Sequence, residues 1–203
     1  MIELSQPNLS KIEKKLILKV LNSKKLVDGI FQDMVEKKIK NMIKSNYVAV
    51  TQSCSSALEI AAILLKLKPK DEVLVPSFTF TSTANAFVMR GAKPVFVDVD
   101  EHNLNINLED LEKKINKRTK AIFVVHYGGF CANIEKLIKI KKKYNLPLVE
   151  DAAHAFMTKY KNKYLGTFGD ISAFSFHTTK NLVGAQCGAL VINNKKFIKE
   201  ADI

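Results

Sequence analysis

The chain has 203 residues, of which 47% are hydrophobic and 26% charged. That is enough for one sizeable α/β core, too little for two comfortable domains, and not the composition of a disordered chain. The formal net charge of +12 would suit an anionic partner, but arginine, the bidentate phosphate reader, occurs only at Arg90 and Arg118. The lysine clusters KIKKKY and EKKINKRTK follow amphipathic helical patterns without interleaved aromatics, so no nucleic-acid partner is expected and most of the charge reads as solvated surface.

No apolar stretch reaches membrane-spanning length, so no membrane partner is expected. The N-terminal MIELSQPNLSKIEKK lacks the apolar region of a signal peptide, and the expected compartment is the cytoplasm. Cys54, Cys131 and Cys187 are odd in number and form no C-x-x-C pair. Free thiols in a reducing compartment are expected, and no metal site.

The predicted elements alternate. Residues 9–22 and 30–44 read as amphipathic helices. Residues 54–67, CSSALEIAAILLKL, read as a helix apolar nearly all round and hence buried. A short apolar strand at 72–76, a helix at 81–90 and a strand at 94–99 follow. Asn107 can cap a helix reaching about residue 116, and Asn133 one ending near Tyr144. Between them lies a strand at 121–126. Strands at 146–151, 170–176 and 188–193 complete the series. Strands joined by helical crossovers predict a mainly parallel sheet covered on both faces, a three-layer αβα fold.

In such sheets ligands bind beyond the carboxyl ends of the strands. Three predicted strand ends carry polar groups: Glu150 and Asp151; His126, followed by Gly128 and Gly129; and Ser175, His177 and Lys180. Singly, Asp151 could cap a short helix, His126 could be a satisfied core histidine and Lys180 a surface lysine. Together on one edge they are expected to form one shared site. Ser53, Cys54, Ser55 and Ser56 open the buried helix, where free N–H groups and the helix dipole favour an anion; an ordinary serine cap is the plain alternative. The glycine-rich dinucleotide pattern and the P-loop are absent. A phosphate cradle, a carboxylate and a strand-end lysine suggest pyridoxal 5'-phosphate. Its aldehyde requires a lysine amine, and its ring nitrogen an acidic partner.

The segments TQSCSSALEIAA, VPSFTFTSTANAFVMRGAKPVFVDVD, EDAAHAF and GTFGDISAFSFHTTKN resemble the DegT/DnrJ/EryC1/StrS sugar aminotransferases, most nearly their dTDP-4-amino-4,6-dideoxygalactose transaminase subgroup. The resemblance runs from near the N-terminus to the last residue. It implies a fold-type I pyridoxal-phosphate transferase in which residues 1–203 form the large domain. The implied activity is transfer of an amino group from L-glutamate to a 4-keto-6-deoxy nucleotide sugar, within a homodimer. Lys180 would carry the Schiff base and shuttle the proton, and Asp151 would pair with the pyridine nitrogen. Cys54, Ser55 and Ser175 would hold the phosphate. Phe80 would lie over the ring, and His154 near its phenolic oxygen. A histidine at position 180 would instead imply the family's dehydratase branch.

The family's Gly-Glu-Gly-Gly after the lysine reads here as Ala185, Gln186, Cys187 and Gly188. Family members are nearly twice as long, and the sequence stops at KEADI, early in the helix expected to lead to a C-terminal small domain. The second expectation is therefore an inactive remnant that binds the cofactor weakly or pairs with a full-length relative.

Overall fold

The computed structural model describes residues 9–24 and 29–201; the last two residues of KEADI lie outside them. Helices α1 (Lys11–Asn22) and α2 (Ile30–Ile43) precede strand β1 (Tyr47–Thr51). Then come α3 (Cys54–Leu64), β2 (Glu72–Pro76), α4 (Thr81–Val88), β3 (Lys93–Val97), α5 (Leu108–Lys114) and β4 (Thr119–Val125). The rest comprises α6 (Ile134–Tyr144), β5 (Leu148–Asp151), the small hairpin β6 (Lys159–Tyr160) and β7 (Lys163–Tyr164), β8 (Ile171–Ser175), β9 (Gly188–Ile192) and α7 (Ile198–Ala201).

The main sheet has seven strands in the order β1-β9-β8-β5-β4-β2-β3. The β2–β3, β2–β4, β4–β5 and β5–β8 pairs are parallel, whereas β9 runs antiparallel to both its neighbours. Strand periodicity sorts the side chains to two faces. Val73, Val75, Phe123, Val149, Ala173 and Leu190 pack on α3 and α4. From the other face, Leu74, Ile122, Val124 and Leu148 meet α5 and α6, and Phe174, Ala189 and Val191 lie in one cluster with Ile39 and Ile43 of α2. This is the expected three-layer αβα arrangement.

Helix α3 is buried because Ala57, Leu58, Ala61, Ala62 and Leu64 leave almost no polar face. Removing Leu58, which has no solvent exposure, would cost about 2–5 kcal/mol. Asn107 and Asn133 cap α5 and α6 as expected, accepting from Asp110 N and Lys136 N at 3.0 Å each. Helix α1 has a Ser10–Glu13 capping box but buries no residue.

Three expectations change. YVAVT, left out of the predicted elements, is strand β1; its β-branched valines extend it against β9. The segment EKKINKRTK is not one helix, because α5 ends at Lys114 and Ile115 is already extended. No helix forms after Asp151; residues 152–157 are loop and turn.

Candidate active site at the carboxyl edge of the sheet

A cavity of about 590 Å³ opens at the carboxyl edge. Its walls come from the segments after β1, β2, β4, β5 and β8, together with residues 186–187 leading into β9. Cys54, Ser55 and Ser175 line it where the phosphate site is expected. Phe80, Asp151, His154 and Lys180 line it as well. The register explains why distant segments meet, since Gly188 pairs with Thr51 on one side and with Ser175 on the other. The start of α3 therefore stands beside the end of β8.

Gly188 is required there by contact. A Cβ on it would lie 2.3 Å from Ser53 C and 2.4 Å from Cys54 N. Of the family's other two glycine positions in this stretch, Ala185 takes a left-handed backbone with φ 58, strained for a residue with a Cβ, whereas Cys187 needs no such backbone.

Ser53 is the ordinary cap of α3, its hydroxyl accepting from Ser56 N at 3.1 Å. That leaves the N–H groups of Cys54 and Ser55 without a protein partner among the described residues. Unpartnered N–H groups at a helix start suit an anion, and Ser55 and Ser175 line the same cavity. The serine cap is therefore present on Ser53 and does not occupy these two N–H groups.

Asp151 is 4% exposed. Its Oδ2 accepts from the Thr83 hydroxyl at 2.7 Å and its Oδ1 from Ala153 N at 3.1 Å. The Cys54 Sγ lies 3.8 Å from Oδ1. Burial, then the Asp151 charge, push the Cys54 thiol well above its ordinary value against the opposing pull of Lys180. Cys54 is thus a protonated wall residue and not a nucleophile.

Burial lowers the His154 pKa, and the Lys180 charge lowers it further against the opposing pull of Asp151. Its Nδ1 accepts from Gly128 N at 3.1 Å, so the neutral ring carries its proton on Nε2. Gly128 makes this possible with a left-handed backbone, φ 60. Lys180 sits in a turn in which its N–H donates to His177 O at 2.9 Å.

Two of the expected site residues belong elsewhere. His126 and Glu150 bond to each other at 2.8 Å, both fully buried, and neither lines the cavity. Alternation is the reason: Asp151 faces α3 and α4, so Glu150 faces away, as does His126 one residue past Val125. Burial pushes Glu150 up, but the His126 contact and the N–H groups of Gly169 and Gly166 outweigh it and hold the carboxyl below its ordinary value. Phe168 N also donates to it, at 2.7 Å. This pair pins the loop ahead of β8 to the sheet and is structural.

Sequence reasoning missed Thr79, Thr83, Phe78 and Tyr127. Phe78 and Tyr127 have ring centroids 4.6 Å apart, and Tyr127 and His154 5.1 Å apart, making an aromatic wall. Phe78 and Tyr127 stand two residues past the ends of β2 and β4, so the strand-end rule could have found them. Only the packing of α4 on the sheet shows Thr83.

The residues present suit pyridoxal phosphate: a lysine amine, a buried carboxylate, unpartnered helix N–H groups and an aromatic wall share one cavity. No group of three or more His, Cys, Asp or Glu among the described residues is placed to hold a metal ion, and no described helix is long and apolar enough to cross a membrane.

Comparison with known proteins agrees. The model of the DegT/DnrJ/EryC1/StrS aminotransferase family matches residues 7–203. GDP-perosamine synthase of Escherichia coli O157:H7 is 36% identical over 195 residues, which is 96% of this chain and 54% of that protein. PseC of Helicobacter pylori, an aminotransferase of pseudoaminic acid biosynthesis, superposes with a TM-score of 0.91 at 33% identity, covering 98% of this chain and 54% of its own. GDP-4-keto-6-deoxy-D-mannose-3-dehydratase of E. coli, solved with bound hydrated pyridoxal phosphate, superposes with a TM-score of 0.89 at 28% identity, covering 96% of this chain and 51% of its own. The chain spans about half the length of the curated relatives it matches. These relatives differ in their reactions, so they identify the family and not a subgroup. By its sequence, its sheet and the residues along the sheet's carboxyl edge, the chain belongs to the DegT/DnrJ/EryC1/StrS aminotransferase family.

Proposed function

We propose that this chain is the cofactor-carrying large domain of a pyridoxal-phosphate-dependent nucleotide-sugar aminotransferase. It would take an amino group from L-glutamate and deliver it to a 4-keto-6-deoxy nucleotide sugar. The observation that carries this reading is the placement of Lys180 and Asp151 in one cavity with the open N-terminus of α3.

When bound, pyridoxal phosphate supplies an aldehyde that condenses with amines and a ring that withdraws electrons from the adjoining carbon. The chain's own residues do the rest. Cys54 N, Ser55 N and the Ser55 and Ser175 hydroxyls would hold the phosphate. Asp151 would keep a proton at the ring nitrogen. The neutral His154 would offer its Nε2–H to the phenolic oxygen. Phe80, 72% exposed at the rim, would shield the cofactor from water. Lys180 would supply the amine with which the aldehyde condenses, and its Nζ, when free, would take and return the proton that moves during transfer.

A lysine at position 180 supports the transaminase branch over the dehydratase branch. A cytoplasmic homodimer belongs to the same reading. The homodimer is supported by α1, whose Ile12, Leu16, Ile17, Leu18 and Leu21 are exposed and invite apolar contact.

The test is cofactor uptake by the purified chain. Pyridoxal phosphate should produce a visible absorbance band that L-glutamate bleaches and that Lys180→Ala abolishes. A band equally strong in Lys180→Ala, or no band in the wild type, contradicts the proposal.

A further inference from the structure

Two threonines outside the expected constellation form a directed hydroxyl chain onto Asp151. Thr83 lies in the first turn of α4, has no solvent exposure and does not line the cavity. Its Oγ1 is 2.7 Å from Asp151 Oδ2. Thr79 Oγ1, on the cavity wall, is 2.8 Å from Thr83 Oγ1. The direction of these bonds follows from chemistry: an ionised carboxylate only accepts, and a hydroxyl has one proton. Thr83 must give that proton to Asp151, so it must accept from Thr79. The alternative acceptor for Thr79, Phe80 O, is farther away at 3.4 Å.

We propose that Thr83, polarised by Thr79, is the positioning residue that orients the Asp151 carboxylate and keeps the shared proton on the cofactor's ring nitrogen. Oδ2 is held by Thr83 and Oδ1 by Ala153 N at 3.1 Å, so the carboxylate plane is fastened at both oxygens. A hydroxyl donated to a carboxylate stabilises its charge, and successive hydrogen bonds polarise one another. A base on the far side of such a carboxylate therefore retains its proton. Losing the chain frees the carboxylate to turn and draws the proton toward it. The inference rests on the pyridoxal-phosphate reading above and adds Thr83 and Thr79 to it.

The experiment loads the wild-type chain, Thr83→Val, Thr83→Ser and Thr79→Val with pyridoxal phosphate labelled with ¹⁵N in the ring, and records the nitrogen resonance and the cofactor Kd. Thr83→Val keeps the side-chain shape and removes the donor. It should move the resonance toward that of neutral pyridine and raise the Kd about 10-fold. Thr83→Ser should restore both, and Thr79→Val should move the resonance the same way by less. An unmoved resonance in Thr83→Val overturns the inference and leaves Thr83 a packing residue. Should Thr83→Val not fold, an unmoved resonance in Thr79→Val overturns it equally. A wild-type chain that takes up no cofactor overturns the underlying reading and this inference with it.

Discussion

Positions 185 and 188 should respond in opposite directions to exchanges between alanine and glycine. Gly188→Ala would place a Cβ 2.3 Å from Ser53 C, 2.4 Å from Cys54 N and 2.6 Å from Ser53 O. All three are backbone atoms, so no side chain can rotate away, and β9 must move from the start of α3. Overpacking of this kind costs typically about 1–3 kcal/mol, and the backbone contact places this case near the top. At about 3 kcal/mol, the Tm of a chain this size should fall by roughly 6–12 °C. The displaced atoms adjoin the free N–H groups of Cys54 and Ser55, so cofactor affinity should fall as well. Ala185→Gly should do the reverse. The left-handed backbone at φ 58 costs an alanine about 1–2 kcal/mol, and the added freedom of glycine when unfolded returns about 0.5–1 kcal/mol of that. The expected net gain is about 0–1.5 kcal/mol. Urea unfolding of both variants, with m unchanged, and cofactor titration of Gly188→Ala are the assays. A neutral Gly188→Ala, in stability and in cofactor affinity, would refute the packing argument; a destabilising Ala185→Gly would refute the strain argument.

Ser55→Ala and Ser175→Ala should each raise the pyridoxal-phosphate Kd roughly 10-fold or more, since a hydrogen bond to a charged acceptor is worth about 1.5–3 kcal/mol; titration of the double variant checks it, and no change would remove both hydroxyls from the phosphate site. Glu150→Gln should cost about 1.5–3 kcal/mol at neutral pH, because the carboxylate accepts from Gly166 N, Phe168 N and Gly169 N and an amide nitrogen cannot accept. The folded Glu150 carboxyl sits below its ordinary 4.5, so its contribution is complete above that pH and is lost as pH falls through the folded value. Unfolding as a function of pH should show a low-pH limb that is shallower in Glu150→Gln. The His154 ring should titrate below its ordinary 6.5, by burial and by the Lys180 charge; NMR should place the midpoint higher in Lys180→Ala.

Much of the fold was legible because its causes are local. Asn107 and Asn133 cap where their side chains reach the first-turn N–H groups, and α3 announces its burial by having almost no polar face. Strand β1 was missed because YVAVT runs straight into the serine cluster. The reversal of β9 is set by its two partners and leaves no mark in GALVI. Of the residues that the strand-end rule singled out, Lys180, Asp151 and Ser175 line the cavity. The same rule wrongly drew in Glu150 and His126, since the end of a strand points to two faces and only register and packing say which face holds the cavity. Thr83 was invisible for the complementary reason: it stands in a helix 68 residues from Asp151 along the chain, and only the layer contact brings its hydroxyl there.

The most direct test of the central claim is reductive trapping. The chain is incubated with pyridoxal phosphate, reduced with borohydride, digested and mapped by mass spectrometry. The account predicts one stoichiometric pyridoxyl adduct, on Lys180 in the peptide containing HTTKN, and its loss in Lys180→Ala. Label spread over the surface lysines, or concentrated on any other one, would contradict it.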